Sequence, residues 1–194
     1  MMKFNKKTTI IIAIVVVAAG LLFYFRSAFV AAMVNGSPIS RIAVIRELEK
    51  NSGKQALESL INKKLIVNEA SGKGVTVSAE EIDAKIAEVD KGFKAQGTTL
   101  EEAMKTEGVT MSDLREQIKT NIKLEKLLAD KTQVTDEEVA KFIKDNKVPV
   151  EKGKEAEVKE QVKSQLKSQK FNQEASKLIE SLRASAKISH LVNY

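Results

Sequence analysis

The sequence predicts a mainly α-helical protein with one membrane-spanning helix near its start. Three observations predict it. Glycine and proline are scarce, at 9 and 2 of 194 residues, and aromatic residues make up 5%; strand-rich folds draw on β-branched and aromatic residues and on frequent turn signals. Apolar residues recur three and four positions apart, repeatedly behind Ser/Thr-x-x-Glu, the signature of a capped helix start. One uncharged apolar run, residues 8–25, stands apart from a remainder in which charges are dense.

That run reads TTIIIAIVVVAAGLLFYF. As a helix it spans roughly 27 Å at about 1.5 Å per residue, close to the roughly 30 Å hydrocarbon core of a bilayer. Tyr24 and Arg26 stand where interfacial anchors belong, because an Arg can reach back to the headgroups. Lys3, Lys6 and Lys7 precede the run and Arg26 follows it. The excess of positive charge on the N-terminal side makes residues 1–7 a cytoplasmic tail and residues 8–26 an anchor in the lipid bilayer of the cell (inner or cytoplasmic) membrane. The rest is then expected on the periplasmic or extracellular side. The competing reading is a cleaved signal peptide, with Val30-Ala31-Ala32 as its small-residue site. The run exceeds the usual apolar region of about 7–15 residues and the site lies well beyond it, so the anchor is the expectation.

Composition narrows the function classes. The net charge is +6, but Lys3, Lys6, Lys7 and Arg26 fall in the first 26 residues, which hold no acid. The remainder carries 28 basic and 26 acidic residues, interspersed as on solvated helix faces. No basic stripe interleaved with aromatics is present, so nucleic acid is not expected as a partner. Cysteine is absent, which rules out disulfides, a thiol nucleophile and cysteine metal ligands.

Beyond residue 26 the elements follow in order. Residues 30–34 read as a strand that ends at the Asn35-Gly36 turn signal. Ser40 caps a helix over 41–50, with Ile42, Ile45 and Leu48 as its stripe. Asn51-Ser52-Gly53 breaks it, and a second helix runs over 54–70 through Leu57, Leu60, Ile61, Leu65 and Ile66 to the Gly72-Lys73-Gly74 stop. Ser78-x-x-Glu81 opens a helix carrying Ile82, Ile86, Val89 and Phe93, which Gln96-Gly97 ends. Thr99-x-x-Glu102 opens a short helix through Met104, stopped by Gly108. Ser112 is the expected cap of a long helix with Leu114, Ile118, Ile122, Leu127 and Leu128. Thr135-x-x-Glu138 opens another, with Val139, Phe142 and Ile143. Residues 147–153, with Pro149 and Gly153, are a loop. The longest helix covers 154–185, and the alternating tail 186–194 reads as a closing strand. A small two-strand pairing of the two ends is therefore expected, backed by the helices.

This order resembles a known family. Val34-Asn35-Gly36-Ser37-Pro38-Ile39-Ser40 is similar to the opening of SurA/PrsA-type extracytoplasmic chaperones. Residues 60–70, followed by Gly74-Val75-Thr76-Val77-Ser78 and Glu80-Glu81-Ile82, resemble that family's central signature. Residues 114–118 and 126–128, then 134–139, continue in the family's order, and 154–188 is similar to its C-terminal helix and strand. The resemblance implies that 27–146 is a SurA N-terminal-like helical chaperone domain, similar in shape to that of trigger factor, completed by 154–194. Most members carry a parvulin-type prolyl isomerase domain where this sequence has residues 147–153. Seven residues cannot hold a domain, which needs roughly 50 or more. The isomerase activity is therefore not carried over.

Candidate chemistry is sparse. His190 is the single histidine, read as a polar residue of the tail because no oriented nucleophile or acid accompanies it. Glu80-Glu81, Glu101-Glu102 and Glu137-Glu138 read as caps and dipole partners in first helical turns. No enzyme activity, metal or cofactor is expected. Candidate client-binding residues are Phe93, Met104, Met111, Phe142 and Phe171, since Met and Phe suit adaptable apolar contact, with core packing as their alternative role. The expected function is a membrane-anchored holdase for unfolded or exported polypeptides. The alternatives are an adaptor for one envelope or membrane partner, or a degenerate isomerase. The helix over 154–185 could also pair two copies into a homodimer.

Overall fold

The structure, a computed structural model, describes residues 26–151 and 153–194. The apolar run expected to anchor the chain lies outside the described residues. Among the described residues no helix is long and apolar enough to cross a membrane. The described residues divide into two units, 26–58 with 190–194, and those within 59–189.

In the first unit a single helical turn, Arg26–Phe29, leads into strand β1, Val30–Val34. Asn35 and Gly36 both take positive φ, 49° and 84°, as a two-residue hairpin turn demands; Asn and Gly adopt that conformation at least cost. The chain thus returns at once as β2, Ser37–Ser40, antiparallel to β1 with Val34 opposite Ser37. This corrects the expected pairing of the two chain ends. The strands that pair are sequence neighbours, and the tail forms no strand. A two-residue loop closes with far less entropy loss than one of over a hundred residues.

Helix α1, Arg41–Leu48, starts where the Ser40 hydroxyl accepts from the Ala43 N–H at 3.1 Å. The predicted break at 51–53 does not occur. Glu49–Gly53 forms a π-helical turn that carries α1 into α2, Lys54–Gly72. Such a turn absorbs a local irregularity without ending the helix. Gly53 has a packing reason here: a Cβ at this position would lie 2.6 Å from the Tyr194 ring.

The second unit contains helices and connecting segments and no strand among the described residues. After α2 the Val75 N–H donates to the Ala70 carbonyl at 2.8 Å while Gly74 takes φ 69°, the glycine helix stop. Helices α3 (Ala79–Ala95), α4 (Leu100–Glu107), α5 (Met111–Leu128), α6 (Asp136–Asp145) and α7 (Glu155–Ser185) follow. Ser78/Glu81, Thr99/Glu102 and Thr135/Glu138 all form complete reciprocal capping boxes. The cap of α5 is Thr110 with Asp113, not Ser112. Asp at the third helical position reaches back as Glu does, so Thr110 competes two residues earlier and wins.

Helix α5 is buried on two sides. Ile118 and Ile122 meet Ile82 of α3, with Ile86, Leu114 and Val77 alongside. Leu124 and Leu128 meet Ile66 of α2 and Ala175 of α7, with Phe171, Leu178 and Ile179 alongside. Six residues of helix rotate the chain by about 600°, so Ile118 and Leu124 face different neighbours. Arg183 of α7 donates to the Asn62 side-chain oxygen of α2 at 2.8 Å. Lys126 of α5 donates to the Thr76 carbonyl at 2.9 Å and pairs with Glu81.

Candidate functional site

The longest helix presents one polar face to an open groove. Lys163, Lys167, Ser168, Phe171 and Asn172 line it, spaced four, one, three and one apart, the repeat that keeps residues on one side of a helix. The opposite wall is the connection between α5 and α6, with Thr132, Gln133 and Val134. Lys85 of α3 and Glu125 and Ala129 near the end of α5 close one side. The volume is about 780 Å³, within the range of roughly 300–1,000 Å³ typical of ligand clefts.

Each wall is held from behind. Phe171 is half-buried because it packs on the cluster of Ile66, Leu124, Leu128 and Ala175. Thr132 is buried, and its hydroxyl donates to the Leu128 carbonyl at 3.1 Å. Lys170, one helix position from the groove, donates to the Gln133 carbonyl and to Glu138, each at 2.7 Å. That pair fastens the connecting segment and the start of α6 to α7. It also holds the Glu138 carboxyl below its ordinary pKa, the Lys170 hydrogen bond being the largest cause and the Thr135 N–H the next. Glu88 raises the pKa of Lys85 by accepting from it at 2.8 Å, with a smaller contribution from the charge of Glu125.

The groove's charge is uneven. Three lysines line it against one glutamate. Lys163 reaches Asp136 at 3.4 Å, but that carboxylate is 92% exposed, and such pairs bind weakly in water. Lys167 has no ion pair among the described residues. The arrangement can take an apolar side chain against Phe171, Val134 and Ala129, with lysine ammonium groups in the same lining.

The five sequence candidates are not gathered in one place. Phe171 lines the groove and the other four do not. Phe93 of α3, Met104 of α4 and Phe142 of α6 are half-buried on their own helices. Met111, the first residue of α5, is 48% exposed. Sequence reading missed Lys85, Lys163 and Lys167. The Lys163-Lys167-Phe171 spacing of four and four was a legible stripe for the α7 part; nothing in the sequence signals that Lys85 and Val134 face it. His190 belongs to the first unit, its Nε2 3.5 Å from a Glu58 carboxylate oxygen.

Part of the chain is similar to known proteins. Residues 46–128 match a family described as the SurA-like N-terminal domain. The chain is 28% identical over 116 residues to the putative peptidyl-prolyl cis-trans isomerase YacD of Bacillus subtilis (strain 168), covering 60% of this chain and 37% of that protein. It is 29% identical over 108 residues to the foldase protein PrsA of Clostridium botulinum (strain Langeland / NCTC 10281 / Type F), covering 52% of this chain and 32% of that one. Over these residues the chain is similar to proteins of the SurA/PrsA type. The SurA-like match ends at Leu128, so much of the groove, including all of its α7 wall, lies outside that match. The chain spans about a third of the length of the curated SurA/PrsA-type relatives it matches. No solved structure matches it.

Proposed function

We propose that this SurA/PrsA-type chain is a membrane-anchored holdase that binds unfolded or exported polypeptides beyond the bilayer and has no isomerase activity of its own. The observation that carries the reading is the groove on α7. It is open, large enough for a few residues of a client, and floored by the aromatic ring of Phe171. Apolar burial against that floor gives a weak, non-directional and therefore sequence-tolerant attraction. The relatives named as a foldase and a putative isomerase support a role in protein folding. The short connection between Asn146 and Glu155, with Pro149 and Gly153 within it, supports the non-enzymatic reading, because it is far below domain size. The apolar run 8–25 and its flanking lysines support the anchor.

The test is suppression of aggregation of a chemically unfolded client by the full chain in mild detergent, alongside a proline-isomerisation assay on the same sample. Suppression near stoichiometric amounts without acceleration of isomerisation is expected. No suppression at several-fold excess counts against the holdase, and accelerated isomerisation counts against the non-enzymatic reading. Recovery of one folded, stoichiometric partner in place of many unfolded chains would favour an adaptor instead.

A further inference from the structure

We infer that the groove on α7 selects acidic client segments, taking an apolar or aromatic side chain on Phe171 with carboxylates beside it. This inference rests on the holdase reading and specifies what that site prefers. Three features converge on it. Lys163, Lys167 and Phe171 lie four residues apart in succession, so two ammonium groups follow one side of the apolar floor along α7. Lys85 adds a third cation from α3, held by Glu88 at 2.8 Å, and Glu125 is the single carboxylate in the lining.

Length fits as well. From Lys163 to Asn172 the helix rises about 13 Å at roughly 1.5 Å per residue. An extended peptide advances about 3.3 Å per residue, so the groove spans about four residues of a client. Main-chain groups are available too. Among the described residues the Val134 N–H and C=O take no hydrogen bond, in a segment of irregular backbone. An extended strand can use such groups for affinity while its side chains set specificity.

The cations are placed to discriminate. Lys167 has no ion pair among the described residues, and Lys163 has only a solvent-exposed partner 3.4 Å away. At Lys163 and Lys167 a client carboxylate therefore does not have to break a strong internal pair. A client lysine would meet the like charges of Lys163 and Lys167, and electrostatic mismatch of this kind lowers affinity and association rate together.

The experiment uses the full chain in mild detergent and three fluorescein-labelled peptides of equal length. One carries Glu-Phe-Glu at its centre, one Lys-Phe-Lys, and one Glu-Ser-Glu. Binding is read by anisotropy at about 50 and about 300 mM salt. The Glu-Phe-Glu peptide is expected to bind at least fivefold tighter than either other peptide, with the preference over Lys-Phe-Lys shrinking at high salt. The double variant Lys163→Glu with Lys167→Glu, at two positions that reach solvent, is expected to reverse the charge preference and leave the circular dichroism spectrum unchanged. Equal binding of Glu-Phe-Glu and Lys-Phe-Lys by the natural chain overturns the inference, as does a preference that survives the double reversal. If clients are still protected from aggregation in those cases, the holdase reading stands and only the selectivity fails. If no peptide binds and no client is protected, both fail.

Discussion

Leu128 is the most enclosed large side chain among the described residues, 1% exposed at the point where α2, α5 and α7 meet. Truncating it removes contacts on three helices at once and leaves a cavity that rigid neighbours fill poorly. Leu128→Ala is therefore expected to cost about 2–5 kcal/mol of unfolding free energy. Met111→Ala, at a half-exposed helix start, is expected to cost under about 0.5 kcal/mol. Chemical denaturation of the pair checks the contrast, and similar losses would mean that the core is not where the buried residues indicate. Caps act at the same scale. Thr135→Ala removes the hydroxyl that accepts from the Glu138 N–H at 3.3 Å and is expected to cost about 1 kcal/mol, read as a fall in thermal midpoint. Thr135→Ser keeps the oxygen and should recover most of that loss.

At the scale of elements, the connection between α5 and α6 is fixed to α7 largely by Lys170, which holds Glu138 and the Gln133 carbonyl together. Glu138, Glu81, Glu102 and Asp113 all have carboxyls held below their ordinary values by hydrogen bonds at helix starts, from Lys170, Lys126, Thr98 and Thr110 as the largest causes. A carboxyl whose folded pKa is depressed binds its proton less tightly folded than unfolded. Its stabilisation is present above the unfolded value, near 4.5 for a Glu, and is lost as pH falls through the lower folded value. Thermal midpoints are thus expected to hold steady from pH 7 to about 5 and to fall below about 4.5. Glu138→Gln keeps a side chain able to complete the capping box but cannot ionise. It should flatten part of that acid slope, and an unchanged slope would show that Glu138 contributes nothing to it. The groove wall depends on the same tether, so peptide binding by the variant is expected to weaken as well.

At the scale of the whole molecule, the proposed anchor sets where the groove works. The chain contains no cysteine, so single-cysteine variants report topology without background. Asn5→Cys and Ser168→Cys place one thiol on each proposed side of the bilayer. A membrane-impermeant thiol reagent applied to intact cells or spheroplasts is expected to label the second and spare the first. Labelling of both, or of Asn5→Cys alone, would overturn the proposed orientation. Tethering matters physically because it confines the site to the membrane surface, which raises its effective concentration toward emerging chains without any new contact.

The sequence alone determined what local physics controls. The Ser78, Thr99 and Thr135 capping boxes, the left-handed stops at Gly74 and Gly108 and the helices between them were all legible, because each follows from bonds within a few residues. The resemblance to the SurA-like N-terminal domain was legible for the same reason, as an ordered succession of such signals. Tertiary structure decided the rest. It closed a hairpin at Asn35-Gly36 where a pairing of chain ends was expected, and carried a helix through 49–53 where a break was expected. It also chose Phe171 alone among five apolar candidates to floor a groove, and set Lys85 and Val134 across from it. Side chains from α3, α5, α7 and a connecting segment meet there only after packing has fixed how those helices cross, and no short-range pattern encodes that crossing.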